Sequence, residues 1–200
     1  MRADCRVSDR ALGRADRLPT LGHVLDTLRQ DFRANPRDPL VRLVLTVFRF
    51  GQWTAARSTV PRRLCGPVYR LLNLVVLRLG VNSDLPRELT CGPGLRLFHP
   101  YGLVLHRDAR LGAGVRLYHH VTIGRRDFSG EPVVGDGVLV GAGATILGPV
   151  RIGSNARIAA GATVLDDVPP GGLALGPRAV VLDPAAAPPE PAAGMVLPPA

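Results

Sequence analysis

The stretch that decides the fold runs from residue 131 to residue 165 and reads EPVVGDGVLVGAGATILGPVRIGSNARIAAGATVL. Within it an aliphatic side chain returns at every sixth position, from Val134 through Val140 and Ile146 to Val164. A period of six fits neither an α-helix, with about 3.6 residues per turn, nor a strand that alternates every second residue. It is typical of a hexapeptide β-solenoid, in which three hexapeptides close one triangular coil and each aliphatic residue stacks on the next coil.

The same period continues upstream of this stretch, with Leu105, Leu111, Leu117 and Ile123 in one register. Most of the aliphatic positions are followed, four residues later, by a small or branched residue suited to a corner of the coil: Ala109, Val115, Val121, Val138, Ala144, Val150, Ala156, Ala162 and Val168. Between Ile123 and Val134 the spacing is eleven where six would fit. A loop with five extra residues is therefore expected to leave the solenoid there.

An earlier segment keeps the period but lies two residues out of phase, with Leu85, Cys91, Leu97 and Leu103 in the repeating position. Cys91 is therefore expected to be a buried small hydrophobic residue and not a nucleophile. Aromatic residues make up only 4% of the chain, so the core is expected to consist of Leu, Val, Ile and Ala in a regular arrangement.

The first part of the chain has the pattern of helices. Apolar residues at 21–32 follow three-four spacing, and Asn35-Pro36 ends that segment. A second helix is predicted over 39–53 and a third over 67–79, with Gly80 as its stop. The arginines of this part are expected on a solvated basic face, with a surface resting on an anionic membrane as the alternative: Arg42, Arg49, Arg62, Arg63, Arg70 and Arg78.

The sequence thus predicts four segments. These are a polar lead-in at 1–20, a helical segment at 21–80, a solenoid domain at 81–180 and a disordered tail rich in Pro and Ala at 181–200. The pair Pro169-Pro170 is expected to end strand pairing, because proline has no N–H to donate to a ladder.

Charge and cysteine usage exclude several function classes. The net charge of +9 is concentrated in residues 1–80, whereas residues 81–180 carry only +2, so the patterned half lacks the basic stripe of a nucleic-acid binder. The three cysteines are scattered and have no metal-binding or disulfide-framework spacing. No signal peptide is visible, and no apolar run is long enough to span a bilayer. We expect a cytoplasmic protein, with peripheral contact to a membrane as an alternative.

At this point the residues carry a resemblance. The stretch LRLFHPYGLVLHRDARLGAGVRLYHHVTIG at 95–124, together with residues 131–170, resembles the serine acetyltransferase family, and more closely its branch of exopolysaccharide (colanic-acid type) acetyltransferases. Residues 31–53 are similar to the short N-terminal region of that branch. The resemblance implies a left-handed parallel β-helix, a homotrimer, and transfer of an acetyl group from acetyl-CoA to a hydroxyl group.

The resemblance also assigns a catalytic pair. The family's general-base histidine falls on His99, and its partner aspartate falls on Asp84, fifteen residues earlier. A hydroxyl group is a poor nucleophile, and an imidazole with a pKa near neutrality can take its proton during attack on the thioester. A carboxylate at the other ring nitrogen fixes the tautomer and stabilises the imidazolium.

For acetyl-CoA, the resemblance places the pantetheine chain along the coils at a subunit interface, where small residues allow a close approach. It nominates Gly124, Ala142, Gly143, Ala159 and Ala160, with Arg157 as a partner for a phosphate of CoA. Gly and Ala are also what the corners of the coils require, so the region is a firmer prediction than the single residues. The loop at 125–131 resembles the loop that closes over the active site in the family.

The acceptor is where this sequence departs from the serine enzymes. They have an Asp before the catalytic histidine and an Arg-His pair in the loop, whereas this chain has Phe98, Gly130 and Glu131. Without those charged partners, a pocket should bind serine poorly. We therefore expect a sugar hydroxyl of an exopolysaccharide or its precursor as acceptor, with L-serine as the alternative. Asp38, which resembles an Asp near the serine site, keeps serine open.

The remaining histidines leave alternatives. His119 either lines the acceptor cleft or packs structurally, and His106 is expected at the surface. A zinc site of the carbonic anhydrase type on the same fold is a remote alternative. It is disfavoured because His119 and His120 would point to opposite sides of a strand, so no metal is expected. A trimeric scaffold without activity is disfavoured by the presence of both His99 and Asp84.

Overall fold

The computed structural model describes residues 21–55, 59–126 and 130–177. The lead-in predicted at 1–20, the tail predicted at 181–200 and the middle of the loop predicted at 125–131 lie outside the described residues.

The described chain begins with helices. They are α1 (Leu21–Ala34), α2 (Pro39–Ala55), α3 (Thr59–Leu72) and a π-helical segment (Asn73–Gly80). The first two agree with the predicted spans, but the third helix begins well before Pro67, so its predicted start is wrong. Pro67 lies inside α3, where its missing N–H removes a single backbone hydrogen bond without ending the helix. In the described part of the chain, no helix has the length and apolarity needed to cross a bilayer.

Short strands follow the helices. Their bounds are β1 (Thr90–Cys91), β2 (Arg96–Phe98), β3 (Val104–Leu105), β4 (Arg110–Leu111), β5 (Arg116–Tyr118), β6 (Thr122–Gly124), β7 (Val133–Val134), β8 (Leu139–Val140), β9 (Thr145–Leu147), β10 (Arg151–Ile152), β11 (Arg157–Ile158), β12 (Thr163–Val164) and β13 (Leu173–Ala174).

The strands form three parallel sheets. Sheet I has the order β1-β4-β7-β10, sheet II the order β2-β5-β8-β11-β13, and sheet III the order β3-β6-β9-β12. The chain visits the sheets in rotation, so each coil contributes one strand to every side of a triangular solenoid. The predicted β-solenoid is confirmed, because every described pairing between strands is parallel and joins successive coils.

The core of the solenoid consists of the repeat itself. Every aliphatic residue of the main register is at most 5% exposed, from Leu105 to Val164. The small and branched residues four positions later are buried as well, from Ala109 at 0% to Val168 at 7% exposure. Side chains of this size fill the interior at high density, which explains how a chain with few aromatic residues builds a core.

The register locates the two interruptions of the repeat. Strand β7 pairs with β4 at an offset of 23 residues (Leu111↔Val134), five more than the eighteen that separate Val134 from Ile152, which confirms the predicted loop insertion. Leu97 pairs with Leu117 at an offset of 20 residues. The two-residue phase shift seen in the sequence therefore falls between Leu97 and Leu105.

Two details differ from expectation. Strand β13 follows Pro169-Pro170 and still pairs with β11, so the prolines do not end the pairing. They lie at the turn between coils, where the missing N–H groups are not needed, and the Arg157 N–H bonds to Gly172 O beyond them at 2.8 Å. Cys91 is partly buried rather than fully buried, and its Sγ atom lies 3.8 Å from the Arg49 guanidinium of α2.

Candidate active site

His99 lies on the turn that carries the two extra residues. The turn leads from β2 in sheet II to β3 in sheet III, and the corresponding turn of the next coil, after β5, is two residues shorter. His99 has a φ of 64°, which lies in the left-handed region. This conformation is energetically unfavourable for any residue that carries a Cβ atom. Its side chain is exposed. The longer turn therefore holds the predicted general base outside the regular surface of the solenoid.

Asp84 lies before β1, in a segment that runs beside β3. It forms a parallel bridge with Val104, and its N–H donates to Leu103 O at 2.6 Å. Just before it, the buried Ser83 donates from Oγ to Pro100 O at 2.8 Å. Pro100 follows His99 directly, so the backbone segments of the predicted pair touch.

The side chains of the predicted pair do not form a hydrogen bond in the single chain. The Asp84 carboxylate instead forms an ion pair with Arg78 at 2.8 Å, at the wall of a cavity of about 360 Å³. His106 and Gly124 line the same cavity. The His106 side chain is 28% exposed, so it lies at the surface in the wall of this cavity, as the sequence suggested. The assignment of Asp84 as partner of His99 stays a prediction.

Three histidine rings cluster beside this turn. The ring of His119 lies edge-on to His99, with 6.0 Å between centroids, and His120 lies edge-on to His119 at 5.4 Å. His119 and His120 follow β5 in a turn, where His120 has a φ of 55°. The expectation that they point to opposite sides of a strand is therefore wrong. The Nδ1 atom of His119 is buried and has no hydrogen-bond partner among the described residues.

Phe98, the residue in place of the family's Asp, belongs to an aromatic contact. Its ring stacks on Tyr118 with 4.4 Å between centroids and an angle of 13°. The Arg96 guanidinium lies 4.3 Å from the centre of the Phe98 ring. This position therefore offers an apolar, cation-capped surface beside His99 and not a carboxylate.

One corner of the solenoid connects the histidines with most of the residues nominated for acetyl-CoA. The His120 N–H donates to Tyr101 O, the Gly143 N–H to His119 O at 3.0 Å, and the Gly161 N–H to Ala142 O at 2.8 Å. We call the surface formed by the turns at 99–102, 119–120, 142–143 and 159–161 the small-residue corner. It contains Ala142, Gly143, Ala159 and Ala160. A Cβ at Gly143 would have no heavy atom within 4 Å, so the surface there is open.

The other two nominated residues lie elsewhere. Gly124 ends β6 at the opposite end of sheet III and lines the Asp84 cavity, away from the small-residue corner. Arg157 is exposed on β11 of sheet II, between Leu139 and Leu173 of the adjacent strands. The structure brings four of the six nominated residues together and separates Gly124 from them.

Two nominated substrate residues have structural partners. The Asp38 Oδ1 atom accepts the Val41 N–H at 3.0 Å and so caps the N-terminus of α2. Glu131 forms an ion pair with Arg125, which joins the two ends of the loop that follows β6. Arg125 also lies 3.8 Å from Asp108. Both carboxylates are thus held by this chain itself.

A buried polar network, which the sequence did not predict, ties the helices to the first coil. Asp31 and Arg49 form an ion pair at 2.8 Å in which the side chains are 0% and 3% exposed. Arg49 also donates to Cys91 O at 2.8 Å and to Gly92 O at 2.7 Å. Arg49 therefore does not belong to a solvated basic face. Burial raises the pKa of the Cys91 thiol, although the neighbouring Arg49 opposes that shift.

Metal binding finds no support in the part of the chain that the structure describes. No three residues of the types His, Cys, Asp and Glu are grouped there so that they could hold a metal ion.

Comparison with known proteins agrees with this architecture. Residues 131–166 match the family model described as bacterial transferase hexapeptide (six repeats). The serine acetyltransferase of Mycobacterium tuberculosis (strain ATCC 25618 / H37Rv) is 40% identical over 88 residues, which cover 42% of this chain and 38% of that protein. The serine acetyltransferase of Helicobacter pylori (strain J99 / ATCC 700824) is 42% identical over 91 residues, which cover 44% of this chain and 53% of that protein.

A solved structure extends the likeness into the helices. Soybean serine acetyltransferase, determined as the apoenzyme and in complex with serine, is 30% identical to this chain with a TM-score of 0.62. The alignment covers 80% of this chain and 69% of the soybean chain. Of the two curated relatives above, this chain spans 38% and 53%. These three relatives are named serine acetyltransferase, so the closer likeness to the exopolysaccharide branch stays a prediction.

Proposed function

Because this chain belongs to the serine acetyltransferase family of hexapeptide-repeat proteins, we propose that it transfers an acetyl group from acetyl-CoA to a hydroxyl group. The observation that carries the proposal is the position of His99. It is exposed on a lengthened turn, at the end of a corner whose two farther turns contain only small side chains at Ala142, Gly143 and Ala160.

His99 acts as the general base in this proposal. Its imidazole takes the proton of the acceptor hydroxyl while the hydroxyl oxygen forms a bond to the thioester carbonyl carbon. The carbon–sulfur bond then breaks, and the imidazolium returns the proton to the departing sulfur, so that CoA leaves as its thiol. Asp84 supports the imidazolium once its carboxylate is released from Arg78, which lies 2.8 Å away.

The small-residue corner provides the place for the pantetheine chain. Its turns at 142–143 and 159–161 expose backbone and methyl groups rather than long side chains, and a Cβ at Gly143 would meet open space. A linear thioester lying along this corner reaches the turn of His99 two coils away. The exposed guanidinium of Arg157, on the sheet that adjoins the corner, is available to a phosphate group.

L-serine is the acceptor that the comparisons favour, because the relatives are named serine acetyltransferase and the soybean enzyme was solved with serine. A sugar hydroxyl is the second candidate, and one observation favours it. The position of the family's Asp is held by Phe98, which stacks on Tyr118, so no carboxylate is available there for an ammonium group.

The proposal is tested by thiol release from acetyl-CoA with L-serine and a panel of nucleotide-linked and lipid-linked sugars in parallel. Turnover with serine assigns the protein to cysteine biosynthesis, and turnover with a sugar alone assigns it to polysaccharide decoration. The variant Phe98→Asp separates the two acceptors, since a restored carboxylate should lower KM for serine and leave sugar turnover no better. Absence of thiol release with every acceptor would contradict the proposed function.

We propose a homotrimer as the working assembly, as the family resemblance implies. The exposure of His99 in the single chain is consistent with a site completed by a second subunit. Measurement of the mass in solution by light scattering tests this proposal, and a monomer that is fully active would overturn it.

We also propose that the helical segment contacts an anionic membrane surface. Five apolar side chains on α3 and the π-helical segment are 50–73% exposed: Val68, Leu71, Leu74, Val75 and Leu79. Residues 39–83 contain no Asp or Glu and, apart from the buried Arg49, six arginines, of which the exposed Arg70 borders this apolar face. An apolar stripe within a purely basic segment is complementary to the surface of an anionic bilayer.

Co-sedimentation with vesicles of phosphatidylglycerol and phosphatidylcholine tests the membrane surface. Binding should require phosphatidylglycerol, weaken at high salt, and fall in the double variant Leu71→Ser/Leu79→Ser. The control is Leu173→Ser, because Leu173 is an equally exposed leucine on the solenoid. Lack of binding to anionic vesicles at low salt would overturn the proposal. A lower mass in solution for the double variant would assign the face to a second copy of the chain instead.

A further inference from the structure

The outer edge of β2 is paired by side chains and not by another strand. Strand β2 ends sheet II, so the backbone groups on its outer side have no neighbouring strand. The Leu95 N–H donates to Asp31 Oδ1 at 2.9 Å, and the Leu97 N–H donates to Asn35 Oδ1 at 3.2 Å. Asn35 Nδ2 in turn donates to Leu95 O at 2.8 Å. The last turn of α1 thus replaces the missing strand and satisfies groups that would otherwise remain unpaired.

The geometry of α1 explains how two side chains can do this. Asp31 lies in the last turn of α1 and Asn35 directly follows the helix, with its N–H still bonded to Asp31 O at 3.0 Å, so the two side chains lie on the same side of the chain. The Asn35 amide is fixed further by its bond to Asp31 O at 2.8 Å, and the Asp31 carboxylate by the buried guanidinium of Arg49. Asn35 is only 5% exposed, so its amide has little freedom to turn away.

The same strand leads directly into the turn of His99. Leu97 lies two residues before His99, and its amide is held by Asn35. Pro100 lies one residue after His99, and its carbonyl is held by the Oγ of Ser83, which is 2% exposed. A left-handed residue with a side chain persists only where its surroundings fix it, and here both flanks of His99 are fixed by buried polar side chains.

We propose that Asn35 and Ser83 are positioning residues for His99, and that the helical segment thereby sets the orientation of the catalytic base. That His99 is catalytic rests on the proposed function, whereas the positioning of its turn by Asn35 and Ser83 does not. Asn35 holds the strand that enters the turn, and Ser83 holds the residue that leaves it. Neither side chain is placed to touch substrate, so their loss should affect the orientation of the imidazole rather than the binding of acetyl-CoA.

The test compares Asn35→Ala and Ser83→Ala with matched controls in the whole chain of 200 residues. Asp26→Ala removes an exposed carboxylate of α1 whose partner is Arg29, and Thr46→Ala removes a hydroxyl that donates to a helix carbonyl on α2. We expect kcat to fall at least tenfold in both test variants, with KM for acetyl-CoA within twofold of the unmodified protein. Both controls should keep the original kcat.

NMR spectroscopy of the His99 ring provides a readout that does not depend on activity. The ring chemical shifts of His99 should change in the Asn35 and Ser83 variants and stay constant in the two controls. The Leu97 amide should exchange faster in the Asn35 variant. If Asn35→Ala does not fold, Asn35→Asp keeps an acceptor for Leu97 and loses the donor to Leu95, and the same readouts apply.

The outcomes separate the inference from the proposed function. Unchanged His99 chemical shifts and an unchanged kcat in folded Asn35 and Ser83 variants would overturn the positioning role. If the unmodified protein shows no acetyl transfer but the His99 signal shifts in both variants, the positioning stands and the proposed function fails.

Discussion

The carboxylate of Asp31 and the guanidinium of Arg49 lie 2.8 Å apart in a site from which water is almost fully excluded. The pair joins α1 to α2 and, through Arg49, reaches the backbone of Cys91 and Gly92 in the first coil. An ion pair at this depth stabilises the fold only while both members are present, because removal of one leaves an uncompensated buried charge.

The variant Asp31→Ala should therefore lower the free energy of unfolding by about 3–5 kcal/mol. Urea unfolding followed by circular dichroism measures the change. The control is Asp26→Ala, whose exposed ion pair with Arg29 should contribute at most about 1 kcal/mol. A loss of less than about 1 kcal/mol in Asp31→Ala would show that the network is not a structural link.

Gly102 illustrates how tightly the turn of His99 is packed. Its φ is 65°, and a Cβ at this position would overlap the ring of His120. Gly114 has nearly the same φ of 64° but open space around it. Gly114→Ala should cost about 1–2 kcal/mol through backbone strain alone, and Gly102→Ala should cost more because His120 must move as well. Equal losses in thermal or urea unfolding would show that the His120 contact is loose.

The two partners available to Asp84 predict different effects on catalysis. In Asp84→Asn, kcat should fall more than tenfold, because the amide cannot stabilise the imidazolium of His99. In Arg78→Ala, kcat should stay within about threefold, since the ion pair is half-exposed and its loss frees the carboxylate. Steady-state kinetics of both variants provides the measurement. If both variants lose activity equally, the Arg78–Asp84 ion pair itself is required and the role of Asp84 beside His99 is wrong.

The buried thiol of Cys91 should make the free energy of unfolding fall as the pH rises above neutrality. Burial raises the pKa of its thiol in the folded protein above the unfolded value, so the folded state keeps a proton that the unfolded state releases. The contribution of this thiol to stability is complete below the unfolded pKa, at about 8.5, and is lost as the pH rises toward the folded pKa.

Urea unfolding of the unmodified protein and of Cys91→Ala at pH 7 and pH 9.5 isolates this effect. The decrease in unfolding free energy between the two pH values should be larger in the unmodified protein. Tyr69, whose pKa burial also raises, is present in both proteins and cancels in the comparison. Identical decreases would contradict a raised thiol pKa.

The solenoid was predictable because its signal repeats. Each side of every coil needs an aliphatic residue at the same place, so the period of six recurs many times between Leu105 and Val164. A pattern that recurs this often is readily distinguished from a chance match. The phase shift before Leu105 was visible as well, and the structure shows that it marks the lengthened turn of His99.

The buried polar network was not predictable in the same way. Asp31 and Arg49 belong to no repeating pattern in the sequence. They lie on amphipathic helices, where charged residues usually face solvent. Their burial depends on contacts with residues 89–97, far along the chain, which no local pattern encodes. The start of α3 was missed for a related reason, since Pro67 is favourable at a helix start and its tolerance inside α3 depends on the surrounding packing.

The central claim is that His99 is the base in acetyl transfer, and its most direct test is thiol release from acetyl-CoA by the unmodified protein and by His99→Ala. With the acceptor that the panel identifies, kcat should fall by about 10²–10⁴ in His99→Ala while the circular dichroism spectrum stays unchanged. The control His23→Ala, on α1, should retain full activity. A folded His99→Ala protein that releases thiol at the original rate would contradict the account.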